Sequence, residues 1–174
     1  MFTNFDCSAY YVRDKQALTS TFSILPEYLK TPEDHLVNNY RDWGVPLGRR
    51  FRALKLWFVL RAFGLEGLRE RLRHHCALAR RFAGWVDAGP GWRMLAPVPM
   101  SVACFRHEPA GMTDEAALAA HNARILDRVN ASGQVFLSHT KLGTRYVLRL
   151  AVGNVRTREA HVALAWRLLR EAAG

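Results

Sequence analysis

The sequence predicts an α+β layer, a small and mostly antiparallel sheet with helices on one face, preceded by a region of different character. Two observations carry this. From Trp92 onward the apolar pattern reads strand, strand, helix, strand, strand, helix. Gly143-Thr144 sits between two alternating runs, as a hairpin turn does. A composition of 49% hydrophobic and 23% charged residues over 174 positions supports a folded core and argues against general disorder.

The strands are expected at about 92–96, 100–107, 134–140 and 145–152. The helices between and after them are expected at 114–130, with Thr113 as N-cap, and 157–172, with Thr157 as N-cap. Upstream, Pro46 suits the first position of a helix, where its missing N–H costs nothing. Leu47, Phe51, Leu54, Phe58 and Phe63 continue with helical spacing and Gly64 closes the segment. A second helix, about Glu66 to Asp87, places Leu68, Leu72, Leu78 and Phe82 on one side and five arginines around much of the rest.

The first 45 residues differ. Residues 2–12 are rich in aromatics and predict a strand that begins directly after Met1, as though the reading frame opened inside a larger domain. Residues 14–45 are polar, punctuated by Pro26, Pro32 and Gly44, with a short helix around Lys15 to Ser20. Loop-like stretches of that length are uncommon in compact domains and often serve as lids or binding loops.

The charge is lopsided, with 21 Arg against 4 Lys and a net of +10. An anionic partner would explain it, but these charges are scattered along the chain rather than clustered. Cys7, Cys76 and Cys104 are odd in number and widely spaced, which fits a reducing cytoplasm better than a disulfide framework. No signal-peptide pattern opens the chain, and the longest apolar run is interrupted by Lys55 and Arg61, too short to span a membrane. His74-His75-Cys76 looks like a metal cluster, yet neighbours on a helix point about 100° apart and do not converge on one ion. His139, beside Ser138 in a strand, has no acidic partner nearby in sequence and reads as a packed or pocket-edge residue.

Four stretches carry a family resemblance. They are Asn4-Phe5-Asp6-Cys7-Ser8-Ala9, Pro26-Glu27-Tyr28-Leu29, Tyr40-Arg41-Asp42-Trp43 running into Pro46-Leu47-Gly48-Arg49-Arg50-Phe51-Arg52, and Tyr146-Val147-Leu148-Arg149-Leu150-Ala151. Ala160-His161-Val162 with Trp166 adds a weaker fifth. In this order and spacing they resemble the C-terminal part of group II decarboxylases dependent on pyridoxal 5′-phosphate (PLP), which act on aromatic L-amino acids or histidine.

That resemblance implies an α/β chain of the fold-type I PLP enzymes. Residues 1–54 would end the PLP-binding large domain and 55–174 would form the C-terminal small domain. It implies decarboxylation of an aromatic L-amino acid to the amine and CO2, in a cytoplasmic homodimer. Tyr28 matches the loop tyrosine that protonates the former α-carbon; a phenol stays protonated at neutral pH and can act as general acid once a lid excludes water. Leu47 and Gly48 match the turn lining the substrate side-chain pocket. A glycine there leaves room for a large ring, where histidine-specific relatives carry serine. Tyr28, Leu47 and Gly48 would act across the dimer.

Arg41 and Arg149 match fixed positions and read as supporting ion-pair residues rather than ligands. The family's Schiff-base lysine would fall about two residues before Met1, and Lys15, Lys30, Lys55 and Lys141 all stand outside its context. No cofactor-binding residue is therefore expected in this chain. It should hold no covalent PLP and be inactive alone, partnered by an upstream half or a second subunit. Two other readings are a non-enzymatic basic module for nucleic acid, motivated by the arginines of 69–81, and a regulatory partner of an intact decarboxylase.

Overall fold

The computed structural model describes residues 2–23, 32 and 36–174. Helix α1 spans Lys15–Phe22, followed by a 3-10 turn at Tyr40–Trp43 and helix α2 over Arg52–Ala88. Next come β1 (Trp92–Met94), β2 (Val102–His107), α3 (Glu115–Ala131), β3 (Ser138–Leu142), β4 (Arg145–Ala151) and α4 (Glu159–Ala173). Two compact units result: Thr3–Ala62, and Phe63–Gly174 together with the first two residues. The division falls inside α2, next to Gly64, the one residue of that helix with non-helical angles (φ 65°, ψ 172°). That region of backbone space is essentially reserved for glycine, so Gly64 interrupts the helix as expected from its sequence position.

The larger unit is the anticipated layer. Its sheet has the order β1-β2-β4-β3, antiparallel throughout. Strands β2 and β3 run the same way on either side of β4, with α3 as the crossover between them. In register, Phe105 faces Leu148, Ala103 faces Leu150 and Met94 faces Phe105, so these side chains share one face. The core joins that face to Leu78, Phe82 and Val86 of α2, Ile125 and Val129 of α3, and Val162 and Leu169 of α4. Phe82 meets Phe105 edge-on at 4.9 Å and Trp166 at 5.9 Å, and Trp92 meets Trp166 at 5.3 Å. Burying aromatic rings in such contacts contributes about 0.5–1.5 kcal/mol per pair beyond their area.

Several boundaries differ from expectation, each for a local reason. Helix α3 is capped by Asp114, whose carboxylate accepts the Ala117 N–H at 2.7 Å, rather than by Thr113. Helix α4 is capped by Arg158, whose N–H is accepted by His161 Nδ1, because Thr157 is drawn into a turn with its N–H on the Asn154 carbonyl. Strand β3 begins at Ser138 rather than 134, since the Asn130 side-chain amide takes both backbone groups of Leu137. Helix α2 begins at Arg52 rather than Pro46; Gly48, a poor helix former, follows the proline too closely. Leu72 is half-exposed while Leu68, Leu78 and Phe82 are buried.

The strand expected over residues 2–12 does not form: that segment carries no strand and joins no sheet among the described residues, and an extended segment outside a sheet has no ladder to hold it. In the smaller unit Phe51, Leu54 and Phe58 are exposed, so their helical spacing marks no internal core there.

Candidate functional site

The smaller unit gathers most of the residues singled out in the sequence. The Asp14 carboxylate accepts the N–H groups of Gln16 and Ala17 and so starts α1. The Lys15 ammonium binds the Asn38 side-chain carbonyl and lies 5.6 Å from the Trp43 ring centroid, which ties α1 to the 3-10 turn. Within that turn Arg41 Nε is 3.8 Å from the Asp42 carboxylate, and both side chains are largely buried. Beyond it, Leu47 is 61% exposed, and a Cβ placed on Gly48 would meet nothing within 4 Å. The Pro46-Leu47-Gly48 turn therefore presents one apolar side chain beside an open backbone position.

Next to this turn lies a pocket of about 360 Å³ lined by Phe5, Arg50, Phe51, Lys55, Phe58 and the Asp6–Arg52 ion pair. Arg52 Nε donates to the Asp6 carboxylate at 2.8 Å, and this hydrogen bond, with the chain's own backbone, holds the Asp6 carboxyl below its usual range. Sequence reasoning missed the pair. The partners stand 46 positions apart, and the only signal was that both fall within recognised stretches.

Tyr28 lies outside the described residues. Arg149 belongs to the other unit, on β4, where its guanidinium donates to the Ser138 hydroxyl at 3.3 Å across the β3 pairing. His139 is exposed and stacks on Tyr146 at 4.7 Å. The His74-His75-Cys76 run is split by the helix: His74 is exposed while His75 is 3% exposed, with a pKa lowered by burial and then by His74 and Arg71. Among the described residues no cluster of three metal-ligating side chains exists.

The sequence profile of the pyridoxal-dependent decarboxylase conserved domain matches residues 1–108. The chain belongs to the pyridoxal-dependent decarboxylase family. It is 43% identical over 173 residues to phenylacetaldehyde synthase of Arabidopsis thaliana, covering 98% of this chain and 35% of that protein. It is 41% identical to tyrosine decarboxylase 2 of Narcissus pseudonarcissus, covering 98% and 34%. The crystal structure of Oryza sativa TDC with PLP and tryptamine superposes with a TM-score of 0.85 and 34% identity, covering 93% of this chain and 34% of that one. This member of the decarboxylase family thus spans about a third of the length of the curated relatives it matches. Its α/β architecture is that of the PLP-dependent decarboxylases.

The family's cofactor requires a lysine amine, a carboxylate for the ring nitrogen and donors for the phosphate. The described residues do not supply that set. Lys15 is engaged by Asn38 and Trp43, Lys141 is exposed on strand β3, and Asp6, which shares a pocket with Lys55, is taken by Arg52. No step through the cofactor follows from the described residues.

No helix of the described residues is long and apolar enough to cross a membrane.

Proposed function

We propose that this chain is the C-terminal, substrate-facing part of a cytoplasmic PLP-dependent aromatic L-amino-acid decarboxylase, and that alone it decarboxylates nothing. The observation that carries the reading is the Pro46-Leu47-Gly48 turn, exposed and with unfilled space at Gly48, in a chain similar to tyrosine and tryptophan decarboxylases. An open position there accepts a phenol or indole ring, whereas a hydroxyl-bearing side chain would favour a smaller hydrogen-bonding ring. Tyr28, in Pro-Glu-Tyr-Leu, is the proton donor to the former α-carbon, so the product is the amine. The exposure of the Pro46-Leu47-Gly48 turn suits it to completing the site of a second subunit. Arg41 and Arg149 hold local structure, through Asp42 and Ser138 respectively.

The test uses the chain alone and a fusion that adds the upstream two-thirds of the Narcissus tyrosine decarboxylase. With PLP and L-tyrosine or L-tryptophan, the chain alone should release no CO2 and leave no borohydride-fixed PLP on its lysines. The fusion should form amine. Tyr28→Phe in the fusion should lower amine formation by about 10²–10⁴-fold, as expected for loss of a general acid. Since one relative is an aldehyde synthase, amine and aldehyde are quantified together. Covalent PLP on the chain alone, or an unimpaired Tyr28→Phe fusion, overturns the proposal.

A further inference from the structure

A groove in the larger unit is lined by Arg71, His74, Arg156, Arg158, His161 and Thr157, with Phe63 and Val155 at its sides, and encloses about 760 Å³. Three guanidinium groups, two imidazoles and a hydroxyl meet there, and no carboxylate lines it. The adjoining recess of about 280 Å³ shares Arg71 and His74 and adds Glu70. Such a concentration of like charge is unfavourable unless solvent or a counter-charge compensates it. The described acidic side chains do not: the ion pairs engage Arg41, Arg52, Arg69, Arg81, Arg93, Arg106 and Arg167, and none of the three groove arginines. Arg71 Nε is buried without a hydrogen-bond acceptor, its guanidinium carbon 4.5 Å from the Phe63 ring centroid. A buried donor left without an acceptor destabilises the structure that holds it.

The groove continues into a second cavity of about 420 Å³ that shares Arg156, Thr157 and His161 and adds Val135, Phe136, Leu137, Val152 and Val162. Phe136 is 84% exposed, a large ring with little cover. A basic mouth thus opens onto an apolar chamber. The start of α4, capped at Arg158 with His161 in its first turn, borders both and adds the favourable field of a helix N-terminus.

We propose that the groove and its adjoining chamber form a binding site for a small phosphate monoester with an apolar body, the phosphate held by Arg71, Arg156 and Arg158 and the body seated against Phe136 and Val152. Planar guanidinium forks match phosphate oxygens, and Arg71 Nε gains the acceptor it lacks. The inference is independent of the decarboxylase reading, because all of these residues belong to the larger unit and none is assigned to substrate or catalysis there.

The full chain is titrated at constant ionic strength with phenyl phosphate and with inorganic phosphate, following both heat release and melting temperature. Phenyl phosphate should bind saturably with a dissociation constant of about 1 mM or tighter. Arg71→Gln and Arg156→Gln should each weaken it about tenfold, the effect of losing one charge-assisted contact. Arg156 lies in an exposed turn, so its variant keeps the test open if Arg71→Gln fails to fold. Phe136→Ala should reduce phenyl phosphate to the affinity of inorganic phosphate, and Arg80→Gln, outside the groove, should change nothing. Absence of saturable binding, or equal binding by the wild-type chain, Arg156→Gln and Arg80→Gln, would refute the site.

Discussion

The two units use aromatic residues in opposite ways. In the larger one Phe82, Phe105, Ile125, Leu148 and Leu169 are each at most 1% exposed, and the rings of Trp92 and Trp166 close the same cluster. In the smaller one Phe5, Tyr11, Phe51, Trp57 and Phe58 are all more than half exposed. Both stretches are comparably apolar in sequence, so hydrophobicity alone does not make a core. Sheet pairing and three helices sharing one face convert apolar residues into buried ones in the first case. With no strand among its described residues, the second leaves them at the surface.

Paired truncations test that contrast most directly. Phe82→Ala should destabilise the larger unit by about 3–5 kcal/mol, the usual result of emptying an aromatic site in a core, and should lower the melting temperature or prevent folding. Phe58→Ala should change it by less than about 0.5 kcal/mol. A large effect at Phe58 would show that this surface is covered in solution and would dissolve the comparison.

A smaller but still clear effect is expected at Asn122. Its fully buried amide accepts the His107 N–H at 2.8 Å and donates to the carbonyls of His107 (2.8 Å) and Leu118 (2.9 Å), joining α3 to the end of β2. Asn122→Ala strands those groups and should cost about 2–3 kcal/mol in denaturant unfolding.

The gentlest probe is pH. His75, His107 and His121 all have pKa values lowered from the ordinary histidine value near 6.5, in each case first by burial. His121 then adds to the effect at His107, against an opposing Pro90 backbone contact, and Arg124 and Arg128 add to it at His121. His107 Nδ1 and His121 Nε2 are 2.8 Å apart, which permits one hydrogen between them but not two. With folded values below the unfolded one, the unfolded chain binds more protons as acid is added. The stability these groups supply is therefore complete above about pH 6.5 and drains away as pH falls through the folded values. Melting temperature should drop as pH falls below about 6.5, and His121→Gln should shrink that drop. A pH-independent melt would remove the histidine pair from the account of this core.

Where local chemistry governs, the sequence was legible. The Gly143 turn (φ 62°), the interruption at Gly64 and the alternation in β2 and β4 are written in neighbouring residues. Boundaries failed where another group captured the backbone, as the Asn130 side chain does at Leu137 and the Asn154 main-chain carbonyl does at Thr157. The strand at residues 2–12 failed because a strand is a property of pairs, and aromatic content names no partner. Of the proposed site, Tyr28, Leu47 and Gly48 were named only through family resemblance; no periodicity distinguishes a glycine expected to line a pocket from one at a bend. The Asp6–Arg52 pair and the basic groove join distant positions, and spacing does not reveal such meetings.

The order β1-β2-β4-β3 has a further implication for how this layer behaves at high concentration. Its outermost strands are a three-residue segment on one side and Ser138–Leu142 on the other, with His139 and Lys141 turned out to water. A charged, short rim is a poor template for an incoming strand, because docking would strip water from the ammonium group without matching it. Aggregation of this protein should therefore start from the uncovered aromatics of the smaller unit rather than from the rim of the sheet.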